Sequence, residues 1–416
     1  MLGHLRMQST TSRAPHVVVI GGSYAGLAAI QNMIRMIQAR ELLPSPIPQK
    51  APEVLPTIKP KITLIDRRDG FFHTMGAPQA LAVRGYAERA WKGYADCSSL
   101  KRAGVEFIQG QVASVDILHR VVKYQTLAGS PTEKSVNTEI HYDYLVAASG
   151  LNRPWPIVPF HHTKHAYLED IEGQRTDLEQ VKGAIVIVGG GAVGIETAAE
   201  IAQAYPRKRV ILVHSRSDLL SSEPLPVDYK QQVWQLLCQA NVEVQLERRV
   251  VGHVVVLENT KEQFDRLFLS TGEVLDAGKV IFCTAKPSPN TQFLPMDCLN
   301  ELGFVKIKAD LSLAVDIPNA DFHLAIGDIA AWDGMKSVGA ALFMGQCAAI
   351  NVIGRMGIDT RSSVASNFVP AMLPSFPLIM NLAIGGNAAT LGPDGLVTSG
   401  EGIHETFFGN DLGLKT

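Results

Sequence analysis

Cysteine is scarce and scattered in this chain. Of its 416 residues only Cys97, Cys238, Cys283, Cys298 and Cys347 are cysteine, and none form a C-x-x-C or similarly close pair. An odd number at wide spacing argues against a disulfide framework and against a redox-active dithiol. Buried thiols acting as small hydrophobes are the plain alternative. Charge of one sign is lacking as well. The formal net charge is −2, so no polyanion, and hence no nucleic acid, is implied as a partner. No run of 18 or more uninterrupted apolar residues occurs, so no spanning helix is expected. Residues 1–40 hold Arg6, Arg13, Arg35 and Arg40 and no acid, but only the first fifteen precede the first strand. That is short for a mitochondrial presequence and reads as a disordered tail. The start Met-Leu-Gly leaves no glycine at position 2 for N-myristoylation. The expectation is a cytoplasmic location, with a mitochondrion-associated one as the alternative.

What is present is an apolar share of 46% in a chain too long for one growing core, so two or three domains are expected. Residues 16–20 read as a buried parallel strand followed by a helix from about Ala25 to Arg40. Prolines at 44, 46, 48, 52, 56 and 60 then block helix and sheet, which makes 41–61 an extended surface insertion. A strand over 61–65 ends at Asp66, residues 105–125 alternate as antiparallel strands do, and 144–148 form another buried strand. Pro154, Pro156 and Pro159 mark a crossing between domains. A second βαβ unit runs over 184–213, a strand follows near 279–284, and a strand over 322–331 stops at Gly327-Asp328 before a helix over 338–353. From Phe368 the chain is apolar but broken by proline and glycine, as short strands and turns are. The fold class is therefore α/β: two Rossmann-like domains, the second inserted in the first, plus a small C-terminal α+β cap. The boundaries are a tail at 1–15, a first nucleotide domain at 16–155 that resumes at 285–355, a second nucleotide domain at 156–284, and the cap at 356–416.

Two glycine-rich strand-to-helix turns carry the chemistry. The first is Gly21-Gly22-Ser23-Tyr24-Ala25-Gly26 after His16–Ile20, and the second is Gly189-Gly190-Gly191-Ala192-Val193-Gly194 after Ala184–Val188. In such a turn the first glycine allows the bend, the second lets backbone approach a pyrophosphate, and the third lets helix and strand pack closely. The phosphates sit on the free N–H groups at the helix start. Ser23 replaces the middle glycine of the first turn, while Gly189, Gly191 and Gly194 keep all three in the second. An acid for the ribose is expected about 20 residues on. Asp66 comes later, and the proline-rich insertion accounts for the excess; an ordinary turn cap is the alternative for it. No carboxylate ends the following strand of the second unit, which reads Val213-His214-Ser215-Arg216. Ser215 and Arg216 there suit a 2′-phosphate, which favours NADPH or dual use of NADPH and NADH, against a solvated surface cation for Arg216. Two dinucleotide sites in one chain suit a flavoprotein that takes hydride from a nicotinamide. His161, His162 and His165 cluster in an interdomain loop without an acidic partner, so no metal site is expected.

The string Gly189 to Glu196 with Ala199-Glu200-Ile201 and Tyr205-Pro206, together with Val213-His214-Ser215 and Ala325-Ile326-Gly327-Asp328, resembles the pyridine-nucleotide-dependent flavoproteins. Within them it is most similar to the apoptosis-inducing-factor-like branch, that of the ferroptosis suppressor protein and its fungal relatives, over about residues 16–416. The resemblance implies FAD, or a modified form such as 6-hydroxy-FAD, with NAD(P)H as co-substrate. It implies that Gly21 to Gly26 wrap the FAD pyrophosphate and that Asp66 holds the adenosine ribose. Val112 would meet the adenine end through its backbone, and Asp328 the ribityl chain or its adjoining phosphate. Gln79 stands where the family commonly has an arginine near the flavin. Glu196 would position the nicotinamide or relay protons; a solvated face shared with Glu200 is the alternative. Ser149 and Ala285 also depart from the family's pattern.

With no dithiol, the electron acceptor is expected to be a small apolar molecule. A quinone is implied by the resemblance; a natural-product intermediate, such as a polyketide or terpenoid in secondary metabolism, is the alternative, and a nucleotide-responsive signalling protein is a third reading. The segment 368–380 is a candidate acceptor channel or peripheral membrane contact, with core packing as its plain alternative.

Overall fold

The computed structural model describes residues 13–45, 47–127, 136–258, 262–284, 288–359 and 368–413. Most of the expected tail, and Ala285, lie outside them. The first nucleotide fold begins with β1 (His16–Ile20), α1 (Tyr24–Ala39) and β2 (Lys61–Asp66), followed by the short helices α2 (Ala77–Ala82) and α3 (Tyr86–Ala90). It continues with β3 (Glu106–Asp116), β4 (Val121–Thr126), β5 (Asn137–His141) and β6 (Tyr144–Ala147). Then α4 (Lys164–Gln180) leads into β7 (Ile185–Val188), α5 (Ala192–Ala204), β8 (Val210–Val213), α6 (Val227–Gln239) and β9 (Val242–Gln245). An antiparallel sheet of β10 (Val250–Glu258), β11 (Glu262–Leu269) and β12 (Val274–Ala277) precedes β13 (Lys279–Phe282), and β14 (His323–Ala325) and α7 (Val338–Asp359) come later.

The first sheet has the order β14-β6-β1-β2-β3-β4-β5 and the second β9-β8-β7-β13. β14 joins a sheet begun some three hundred residues earlier, so the second sheet is threaded between two parts of the first. The central strands are parallel, and Val17, Val18, Val19 and the four residues of β7 are buried. Both faces of each sheet are covered, one by helices and the other by antiparallel strands or the returning chain, which makes these runs continuously apolar rather than alternating. The two crossings between the folds lie side by side: Leu151–Asn152 pairs antiparallel with Ser288–Pro289.

Several expectations change in detail. β3 is not simply antiparallel: residues 106–109 run parallel to β2, and only from Gly110 onward does the strand pair antiparallel with β4. One strand long enough to leave the parallel layer pairs with β2 along its first half and with β4 along its second, which alternation alone does not reveal. Among its described residues the proline-rich insertion has no helix or strand before Lys61, as expected, but it is not a free surface loop. Leu42, Ile47, Ala51 and Leu55 pack on the core, Leu43 bonds through its N–H to Asn32 Oδ1 at 2.8 Å, and its carbonyl accepts Gln346 Nε2 at 2.7 Å. His165 belongs to helix α4 and lies 3.4 Å from Glu169, and His161 lies 3.7 Å from Asp170, so the histidines do have acidic neighbours. No three metal-binding side chains gather among the described residues.

Helix α7 is long and apolar enough to cross a membrane, yet it is largely buried, and its main neighbour is α1. Small residues let the two helices touch. A Cβ at Gly345 would lie 2.5 Å from the Ala25 carbonyl and 2.7 Å from Ala28 Cβ. The cap consists of β15 (Met380–Ile384), β16 (Asn387–Leu391), β17 (Val397–Gly400) and α8 (Glu401–Phe407), and Leu382, Ile384, Ala389 and Leu391 share a cluster with α2 and α5. Because α7 bears on the first turn of α1, Gly345→Val should overpack this crossing at a cost of roughly 1–3 kcal/mol. Thermal unfolding should show a midpoint several degrees lower; an unchanged midpoint would mean that the helices yield freely.

Candidate functional site

The first turn has the geometry its sequence requires. Gly21 has φ +99°, a conformation that side chains rarely adopt, and its N–H bonds to the Ile65 carbonyl at 2.9 Å. Gly26 leaves no space at all: a Cβ there would overlap the Gly21 carbonyl. Ser23 is the N-cap of α1 but makes no side-chain cap bond, so the first N–H groups of the helix, those of Tyr24, Ala25 and Gly26, have no intrahelical partner. That end is a ready anion site. Asp66 is brought to it. Its Oδ2 accepts the Gly22 N–H at 2.7 Å, its Oδ1 accepts the Arg68 N–H at 2.8 Å, and Tyr94 donates its hydroxyl to the Gly22 carbonyl at 2.7 Å. Tyr24 turns away to bond His73 Nδ1 at 3.0 Å, and His73 Nε2 reaches the Leu412 carbonyl at 3.0 Å, which ties the end of the cap to this turn.

Asp328 arrives from the other half of the fold. Gly327, with φ +70°, sits so close to the turn that a Cβ would lie 3.0 Å from Ala25 Cβ. Asp328 Oδ2 is 3.1 Å from Arg153 Nη2, and both side chains are about a quarter exposed. Val112 lies on β3 just beyond the level where Gln109 pairs with Asp66, half-buried and paired with Tyr124. Gln79, on α2, has a buried Oε1 with no hydrogen-bond partner among the described residues. A buried amide oxygen without a donor is an exception that a bound molecule would explain. The free helix N–H groups, the strand-end carboxylate and this orphaned oxygen together fit an FAD.

The second turn repeats the first. Gly189 has φ +120° and bonds the Val213 carbonyl at 2.8 Å, and a Cβ at Gly194 would overlap the Gly189 carbonyl. Nothing lies within 4 Å of a Cβ at Gly191, so that position stands open, as backbone facing a ligand must. Ser215 is half-buried and Arg216 exposed at the end of β8. The 368–380 segment is divided. Ala371 is buried, and Phe376 stacks edge-on with Trp332 and Phe343, while Val369 is 79% exposed.

Helix α5 carries Glu196 and Glu200 into the junction between the folds, where α2 and β15 also pack. They are not a solvated face. Glu200 is 6% exposed, and Glu196 is reached by solvent only in part. Burial pushes the Glu196 carboxyl up to about 8, against a hydrogen bond from the Ala383 N–H that pulls it down, with the nearby Glu200 charge adding to the rise. Burial alone lifts Glu200 to about 7. Two carboxyls that hold protons near neutral pH, one helical turn apart, can give and take protons inside an apolar site.

Residues 15–345 match the sequence model of the pyridine nucleotide-disulphide oxidoreductases. The chain belongs to this family. It is an NAD(P)H oxidoreductase of the flavin-dependent kind, although all five of its cysteines are free, so the disulphide of the family's title is not supplied by this chain. It is 37% identical to Oxidoreductase OXR1 of Ajellomyces capsulatus over 98% of this chain and 87% of that protein. It is 28% identical to Ferroptosis suppressor protein 1 of Mus musculus over 66% of this chain and 64% of that protein. Among solved structures, NDH2 of Plasmodium falciparum in complex with NADH superposes with a TM-score of 0.67 at 13% identity, covering 95% of this chain and 93% of that one, which shows the shared fold.

Sequence reasoning overlooked Arg153 and Tyr94, for which no motif exists, and His214, which a closer look at the strand end would have found. Both glutamates have folded-state values above the ordinary carboxyl value, so ionising them opposes folding. For Glu200 this cost is absent below about pH 4.5, grows as pH rises, and is complete above about pH 7. Glu200→Gln should therefore match the wild type in thermal stability at pH 4.5 and exceed it at pH 9, by up to about 3 kcal/mol. A difference that does not grow with pH would show that the carboxyl is already solvated.

Proposed function

We propose that this enzyme passes hydride from NAD(P)H through FAD to an apolar acceptor, and that the acceptor is a quinone. The observation that carries the reading is the pair of buried, proton-holding carboxyls on α5 at the junction of the two folds, in a chain that has no dithiol. The Tyr24–Gly26 end of α1, Asp66 and Asp328 would hold the FAD, with Val112 at its adenine end and Gln79 beside its ring. Bound FAD supplies the two-electron chemistry that links a hydride donor to a quinone. The turn Gly189 to Gly194 would seat the coenzyme pyrophosphate on α5, which brings the nicotinamide toward Glu196 on the same helix.

Glu196 and Glu200 supply what reduction of a quinone demands. Reducing one quinone to its hydroquinone takes two electrons and two protons. NAD(P)H delivers a hydride, two electrons with one proton, and the second proton must come from solvent. Carboxyls poised near neutral pH can take it up and release it without crossing a large energy gap. Trp155, Met335, Leu378 and Met380 are half-buried apolar side chains packed against the cluster that holds Ala80, Leu81 and Ile195. They favour an apolar acceptor over a charged one. Ser215 and Arg216 would take the coenzyme's 2′-phosphate, which makes NADPH the preferred donor.

Two measurements test this. Anaerobic addition of NADPH to the flavin-loaded enzyme should bleach the flavin absorbance, and a short-chain ubiquinone should then restore it rapidly. A spectrum that stays reduced in the presence of quinone would overturn the acceptor assignment. In steady-state kinetics, Arg216→Ala should lower kcat/KM for NADPH by tenfold or more and leave NADH within about twofold, the loss expected for one phosphate contact. An equal loss for both coenzymes would remove Arg216 from the phosphate site.

A further inference from the structure

The two nucleotide folds of this chain serve as controls for each other. In each, the N–H of the turn's first glycine bonds to a carbonyl on the second strand, and the N–H of its second glycine bonds to the side chain that ends that strand. In the first fold the side chain is Asp66, whose Oδ2 accepts the Gly22 N–H at 2.7 Å. In the second it is His214, whose Nδ1 accepts the Gly190 N–H at 3.1 Å. The carbonyl of the second glycine is bonded in both, by Tyr94 Oη at 2.7 Å in one and by the Leu220 N–H at 2.8 Å in the other. His214 stands where Asp66 stands.

We propose that His214 selects the coenzyme, by taking over the structural duty of the strand-end acid while leaving the ribose pocket without a negative charge. The proposal rests on the reading of Ser215 and Arg216 as the 2′-phosphate site and is independent of the electron acceptor. The chemistry of the two side chains separates their roles. An aspartate has four lone-pair sites; the Gly22 and Arg68 N–H groups use two of them on Asp66 and the Tyr94 hydroxyl lies 3.4 Å from Oδ2, which still leaves an acceptor for a ribose hydroxyl. A neutral imidazole has one acceptor and one donor. A backbone N–H can only donate, so Nδ1 is the acceptor and the ring proton sits on Nε2. That proton faces Ser221 Oγ at 3.2 Å and the Asp218 carbonyl. Nothing on the ring remains for a ribose diol. Burial, ahead of the Arg216 charge, holds the imidazole below its ordinary value and so uncharged at neutral pH. The ring is also packed in place: a Cβ on Gly190 would lie 2.8 Å from His214 Cγ and 2.6 Å from Leu219 Cδ2. An acid at this position rewards a free 2′-hydroxyl and repels a 2′-phosphate. His214 does neither, and the neighbouring Arg216 tips the pocket toward the phosphate.

Titration calorimetry with 2′,5′-ADP and 5′-AMP, which differ only in the 2′-phosphate, tests the proposal without any electron transfer. The flavin-loaded wild type should bind 2′,5′-ADP at least tenfold more tightly than 5′-AMP. His214→Asp restores the acid and should cut that ratio tenfold or more, with 5′-AMP affinity kept or improved. His214→Asn keeps a neutral acceptor for Gly190 and should hold the ratio within twofold of wild type. A wild type that does not discriminate, an Asp variant with the wild-type ratio, or Asp and Asn variants that lose the ratio alike would each overturn it. The quinone assignment can fail with this result intact, and the reverse also holds.

Discussion

Two contacts of bare backbone on bare backbone fix this molecule. At Gly26 on Gly21, and again at Gly194 on Gly189, a helix meets the turn before it so closely that one methyl group would overlap a carbonyl oxygen. Each contact sets its helix onto the carboxyl end of a parallel sheet, with the first N–H groups left without an intrahelical partner or a side-chain cap. The rest of the site takes its position from there. Ala25 abuts Gly327, which carries Asp328 to the first turn, and α7 lies on the same surface of α1 through Gly345. At the second turn the start of α5 determines where Glu196 and Glu200 stand, one and two helical turns further along.

The same backbone frame is used twice with opposite electrostatics. The first fold ends its second strand with a carboxylate tied to two N–H groups, and the second ends it with a neutral ring. Between them the junction is apolar enough to keep two carboxyls protonated near neutrality. Such a site distinguishes its ligands by charge at the periphery and handles protons at the centre. The electron chemistry belongs to the cofactor, and the chain contributes placement and proton affinity.

Much of this was legible in the sequence because it follows from local rules. Strand, glycine turn and helix are adjacent in the chain, so Gly21 to Gly26 and Gly189 to Gly194 show themselves without tertiary knowledge. Asp66 is legible as a strand-end acid even though the insertion displaces it along the chain. What escaped notice depends on distant partners. The burial of Glu200 is due to the cap and to α2, and i, i+4 spacing on a helix is the same for a wet face and a dry one. The packing of the proline-rich insertion depends on Asn32 and Gln346, and Arg153 gains its meaning only from Asp328. His214 is the instructive case: a histidine at a strand end carries no motif, and its bond to the Gly190 N–H shows only in the folded turn.

The late arrival of β14 has a consequence for biogenesis. β6 is finished at residue 147, and the strand that covers its outer edge begins at residue 323. On the ribosome the inserted fold can therefore close while its host still shows an unpaired parallel edge, the kind of surface that recruits stray strands.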